Sequence, residues 1–134
     1  DIAAFKQATL AAINEGADFV IHQANDRAQG VFDACKEKGA RAFGANMDQN
    51  ANESGVIVAS AIIVAKPAYV ALAKQVKEKT YKGTVMLMGM KDGAISFVVN
   101  PVFASEVTEE LKAKLDEMQR QITEGTLVVP KDEF

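Results

Sequence analysis

The chain has 134 residues, 49% hydrophobic and 25% charged, with a formal net charge of −3. That length is one ordinary domain, and that balance excludes a disordered tail. Lysines alternate with acids instead of clustering, so no electropositive stripe is offered to a phosphate backbone and nucleic acid is not an expected partner.

In order, "IAAFKQATLAAINEG" places apolar residues on one helical face and stops at Gly16. "ADFVIHQ" is a short apolar run that predicts a buried strand. "NDRAQGVFDACKEKG" predicts a helix with Asn25 or Asp26 as N-cap. Its apolar Ala28, Val31, Phe32 and Cys35 fall at i, i+3, i+4 and i+7, and Gly39 is its terminator. "ARAFGA" and "GVIVASAIIVA" predict the second and third strands, and Pro67 opens a helix through "AYVALAKQVKEK". "GTVMLMGMKDGAISFVVN" reads as two strands around the Lys91-Asp92-Gly93 turn. The last helix carries Val107, Leu111, Leu115, Met118 and Ile122, starts at Ser105 or Thr108, and ends at Gly125 before a "TLVVP" strand.

Strands separated by helices predict an α/β fold, a three-layer sandwich with a mostly parallel sheet covered on both faces. With no repeat and no proline- or serine-rich linker, residues 1–134 are read as a single lobe. The lone Cys35 cannot close an internal disulfide, and no apolar run reaches the roughly 20 residues of a membrane span. Residue 1 falls inside a helical pattern with no leader before it, so the sequence reads as a mature or trimmed piece.

In open parallel sheets ligands bind beyond the carboxyl ends of the strands, where helix N-termini point unpaired N–H groups into a crevice. Here the first strand delivers His22, Gln23, Asn25 and Asp26 to that rim. The second delivers Asn46, Asp48, Gln49 and Asn50, and the third delivers Lys66, with Tyr69 one turn further. Amides, carboxylates, an ammonium and a phenol together suit a neutral polyhydroxylated ligand such as a sugar or nucleoside. His22 shares a strand face with Val20 and reads equally as a satisfied structural histidine or a ligand contact. Cys35 and Tyr81 read as packing residues, and Asp92 as a turn residue.

Sharper motifs fail. Asn46, Asp48 and Asn50 match the first liganding positions of a calcium loop, but Ala51 replaces the turn glycine and Ile57 the bidentate glutamate. There is no G-x-G-x-x-G or G-x-x-x-x-G-K-S/T phosphate cradle, and a single histidine provides neither a zinc set nor a triad. No cofactor, metal or catalytic constellation is therefore expected.

"GADFVIHQ", a helix ending "KEKG", the strand tip "GANMDQ", "MKDG" and the closing "ITEGTLVVP" occur in that order. The set is similar to the second lobe of the basic membrane protein family, the purine-nucleoside-receptor-like substrate-binding proteins of ABC transporters. The resemblance implies one lobe of a type I periplasmic-binding-protein fold, closing on its ligand against an amino-terminal lobe that this sequence lacks. It also implies a periplasmic or extracellular lipoprotein, membrane-anchored at full length, that hands a purine nucleoside to an ABC permease without chemistry. The family's ribose-binding aspartate corresponds to Asn46, with Asp48 two residues on, and of its aromatic platform only Tyr69 is present beside Lys66. Two rival readings are a self-associating module built from such a lobe and a flavodoxin-shaped enzyme, the latter lacking a serine/threonine-rich phosphate cradle.

Overall fold

A computed structural model describes residues 1–130. The elements run α1 (Ile2–Asn14), β1 (Phe19–Ile21), α2 (Ala28–Lys38), β2 (Arg41–Asn46), β3 (Ile57–Ile63), α3 (Ala65–Lys77), β4 (Ile95–Val99) and α4 (Glu109–Glu124). Short 3-10 turns occupy Asn25–Arg27, Met90–Asp92 and Pro101–Phe103. The sheet order is β1-β2-β3-β4, and β1, β2 and β3 pair in parallel. Along β3 and β4 the partners run in opposite senses, Asn100 N–H to Val58 C=O and Val64 N–H to Ala94 C=O. The fold is thus α/β, with a mostly parallel four-stranded sheet flanked by helices, as the alternation of patterns predicted.

The molecule divides into two compact units. One comprises Asp1–Ile62 with Phe97–Glu106, and the other Ile63–Ser96 with the described residues from Val107. In the first, the apolar stripe of α2 (Ala28, Val31, Phe32, Cys35) packs on Ala42 of β2 and Ile57 of β3, with Phe5 and Ile13 of α1 closing the cluster. Phe32, Val31 and Ile57 are almost fully buried, each contributing about 1.5–3 kcal/mol of transfer free energy. Gly30 sets how closely α1 lies on α2, because a Cβ there would stand 2.2 Å from the Ile2 carbonyl oxygen. Gly39 closes α2 in the left-handed conformation, as predicted.

In the second unit α4 begins at Thr108, whose hydroxyl accepts from Leu111 N–H at 3.2 Å, and Glu109 and Glu110 complement the positive end of its dipole. It ends at Gly125, in the left-handed region. Pro67 lies in the first turn of α3, which starts two residues earlier than predicted.

Four local expectations are corrected. The strand β1 is not buried: Phe19 and Ile21 are exposed, and only Val20 packs against the core cluster. Neither Asn25 nor Asp26 caps α2. A 3-10 turn intervenes, Arg27 occupies the cap without a side-chain bond, and the Asn25 carboxamide is engaged elsewhere. Thr84–Met88 forms no strand. The following turn uses its polar groups on itself, Asp92 Oδ2 accepting from Gly89 N–H at 2.9 Å and Ala94 N–H bonding Gly89 C=O at 3.0 Å, so no hairpin is seeded. "TLVVP" is not a strand either: Thr126 and Leu127 both donate back to Gln121 C=O, satisfying the helix end instead of a ladder.

Candidate functional site

Within the first unit, beyond the carboxyl ends of β1 and β2, lies a cleft of about 510 Å³, a volume in the range of small-molecule sites. Its floor is apolar, made by Ala28, Phe32 and Ala45, and its rim carries Asn25, Asp26, Gln29, Asn46, Gln49 and Asn52, with Met47 beside them.

The polar segment Asn46–Ser54 is held in place by its own amides. Ser60 Oγ, buried on β3, donates to Asn50 Oδ1 at 2.8 Å and accepts from Gln49 N–H at 3.1 Å. Asn50 Nδ2 donates to Val98 C=O of β4 at 3.1 Å. Asn100, 3% exposed, donates to Asn50 C=O and Ile57 C=O at 3.0 and 2.7 Å and accepts from Val102 N–H. Asn52 accepts from Ser54 N–H and donates to Gln29 Oε1 at 3.2 Å, tying the loop to the first turn of α2. A loop without its own ladder needs such partners, since unpaired buried peptide groups are costly. Its amide-rich composition supplies them.

Two asparagines face the cleft in left-handed backbone conformations, Asn25 with φ 48° and Asn46 with φ 70°. Asparagine is among the few L residues that tolerate this region. Asn46 Nδ2 donates to Asn25 Oδ1 at 3.2 Å and to Gln23 Oε1 at 3.4 Å, joining the tips of β1 and β2. Non-glycine residues held in this region concentrate at ligand sites.

His22 is 6% exposed and packs edge-on against Phe32, with ring centroids 5.2 Å apart. Nδ1 accepts from Ala24 N–H at 3.2 Å, so it carries a lone pair and the ring is the neutral Nε2–H tautomer. Nε2 donates to Gln49 Oε1 at 3.1 Å. Burial lowers the His22 pKa from its ordinary value, and the Gln49 bond opposes this in part.

Of the residues nominated from sequence, Asn25, Asp26 and Asn46 line this cleft. His22 lies behind Gln49, with both ring nitrogens engaged. Asp48 is exposed, and its Oδ1 accepts from Asn50 N–H at 3.0 Å, closing a local turn. Lys66 and Tyr69 belong to the second unit. Lys66 is exposed in the first turn of α3, and Tyr69, 72% exposed, borders an apolar cleft of about 410 Å³ with Met86, Met88 and Ile95. Gln49, which the sequence places at the rim, also lines the first cleft, as do Gln29 and Asn52, which the sequence did not single out. The available signal for Asn52 was its place in the polar loop after β2, whereas Gln29 is brought to the cleft by tertiary contact, its Oε1 accepting from Asn52 Nδ2.

Residues 1–133 match the family model described as "ABC transporter substrate-binding protein PnrA-like". No curated protein matches. Among solved structures, an ABC transporter solute-binding protein from Conexibacter woesei is 17% identical with a TM-score of 0.69, covering 97% of this chain and 43% of its own. An ABC transporter solute-binding protein from Aeropyrum pernix is 18% identical with a TM-score of 0.73, covering 98% and 46%. A structure from Bacillus halodurans, described as a transcriptional activator of the comK gene, is 19% identical with a TM-score of 0.75, covering 90% and 42%. These likenesses show a shared fold, and the present sequence spans less than half the length of each of the three structures.

Proposed function

The chain belongs to the PnrA-like family of ABC transporter substrate-binding proteins, and from that premise we propose that it is the ligand-binding lobe of a solute receptor for a small neutral polar ligand, a purine nucleoside. The observation that carries this reading is the cleft at the tips of β1 and β2, with its amide-rich rim and a lining that includes Phe32. Side-chain amides offer both donors and acceptors without net charge, which matches ribose hydroxyls and a purine edge. In this reading Asn25, Asp26 and Asn46 contact the ligand, Asp48 shapes the loop beneath it, and His22 supports the rim.

The role is binding without catalysis. A second lobe supplies the remaining contacts, closure of the two around the ligand is the state an ABC permease reads, and the receptor works outside the cytoplasmic membrane as an anchored lipoprotein. Among the described residues no helix is long and apolar enough to cross a membrane. Calorimetric titration of the intact receptor with inosine, guanosine, adenosine and simple sugars tests the reading. Micromolar or tighter binding of a purine nucleoside supports it, and silence across the nucleosides refutes that specificity.

A second reading, self-association through the lobe, is favoured by the exposed Tyr69, Val85, Leu87 and Met118 of the second unit. Sedimentation at several concentrations separates it from a monomeric half-receptor.

A further inference from the structure

Gln49 is held at each of its polar atoms except one. Its backbone N–H donates to Ser60 Oγ at 3.1 Å, and its backbone carbonyl oxygen accepts from Asn52 N–H at 2.9 Å. Its Oε1 accepts twice, from Ala45 N–H at 2.9 Å and from His22 Nε2 at 3.1 Å. Two bonds fill the two lone pairs of a carboxamide oxygen. What remains is Nε2, with two N–H donors, and among the described residues no acceptor is bonded to it.

The direction of this group is fixed by the backbone. A side-chain amide can usually be turned end for end without an obvious change of shape. Here Ala45 N–H is a backbone donor that only the oxygen end can meet. Likewise Ala24 N–H can meet only a bare Nδ1, which leaves the His22 hydrogen on Nε2, aimed at Gln49. Two peptide N–H groups therefore set the polarity of the whole relay. Asn46 differs, because its partners Gln23 and Asn25 are side-chain amides that can turn with it.

We propose that Gln49 is a specificity-determining donor of the cleft, that His22 is the positioning residue that holds it, and that the ligand turns an acceptor atom toward Gln49 Nε2. This deepens the binding-lobe reading and rests on it. The chemical class follows from the donor: a ring nitrogen, carbonyl or hydroxyl oxygen is favoured there, whereas an ammonium or other pure donor meets N–H with N–H and is rejected. His22 does not touch the ligand in this scheme. It uses one lone pair of Gln49 Oε1, so the carboxamide cannot rotate its oxygen into the cleft without leaving a buried imidazole N–H unpaired.

The test compares wild type with Gln49→Glu in the intact receptor. Glutamate keeps an oxygen for Ala45 and His22 but replaces the cleft-facing donor by an acceptor. Titration uses inosine, guanosine, adenosine and D-ribose, and nitrogen NMR of the ligand-free protein reads the His22 tautomer. The expected result is a loss of about tenfold to a hundredfold in affinity for whichever probe binds, with His22 protonated on Nε2 alone. Nucleoside binding that Gln49→Glu leaves unchanged overturns the inference while the nucleoside reading stands. Binding of D-ribose alone, lost on substitution, removes the nucleoside reading and upholds the inference. A ligand-free His22 carrying its hydrogen on Nδ1 overturns the inference whatever binds, and silence from every probe overturns both.

Discussion

Gly44 on β2 pairs with Ser60 on β3 so closely that a Cβ at residue 44 would lie 2.3 Å from Ser60 Oγ and 3.0 Å from Gln49 Cβ. The missing side chain is the space in which the Ser60 hydroxyl reaches the Gln49 N–H and the Asn50 carboxamide. Gly44→Ala should therefore cost about 1–3 kcal/mol in urea unfolding, the usual range for overpacking. Ser60→Ala should cost less in the Gly44→Ala background than alone, because it removes the nearest clashing atom. Additive losses in the four-member cycle would contradict this coupling.

The pH dependence of stability follows from His22. Its pKa in the folded protein is lowered from 6.5, chiefly by burial. Just below pH 6.5 the unfolded state therefore binds more protons than the folded one, and stability falls as pH falls. Above the unfolded value the contribution is fully present and flat. The difference in unfolding free energy between wild type and His22→Gln should stay constant from pH 8 to about 6.5 and shrink below it. A difference that widens on acidification would show that the ring is stabilised as a cation.

Asn46 separates strain from function. Its φ of 70° costs an L residue roughly 1–2 kcal/mol, an expense glycine avoids. Asn46→Gly should leave stability within about 1 kcal/mol of wild type, the relief offsetting two lost side-chain bonds, yet weaken ligand binding. Asn46→Val should be less stable than Asn46→Gly by at least about 1 kcal/mol, since a branched Cβ is strained there. Chemical unfolding and titration of both variants check the two halves of this statement.

Asn100 ties the end of β4 to the loop and to β3 through two donated bonds and one accepted bond. Asn100→Ala should destabilise by about 1–3 kcal/mol by leaving Ile57 C=O without this donor. Asn100→Asp should be worse, because a carboxylate would face two carbonyl oxygens in a buried position. Equal midpoints for the two variants would show that the bonds matter less than the volume.

Much of this fold is determined locally and can be read from one sequence. The apolar stripe of α2, the closing Gly39 and Gly125, the Thr108 cap and the segments that become β1, β2 and β3 follow from periodicity and from residues whose backbone preferences act over a few positions. The rim at the carboxyl ends of β1 and β2 was likewise predictable in kind, because parallel topology places loops there. Thr84–Met88 shows the limit: its composition favours a strand, but a strand exists only where a partner edge accepts it, and the Gly89–Ala94 turn spends its amides on itself.

Tertiary structure alone decided what each polar side chain of the loop does. An amide or hydroxyl has little intrinsic direction, and its role depends on whichever group the fold brings within about 3 Å. Asp48 turns to its own loop, Asn50 reaches Val98 across 48 positions, and Gln49 meets His22 across 27. The sequence by itself determined that this segment would be rich in hydrogen-bonding groups and where it would stand. Only the packing of distant strands decided which of those groups are consumed by the scaffold and which, such as Gln49 Nε2, are left without a bonded acceptor among the described residues.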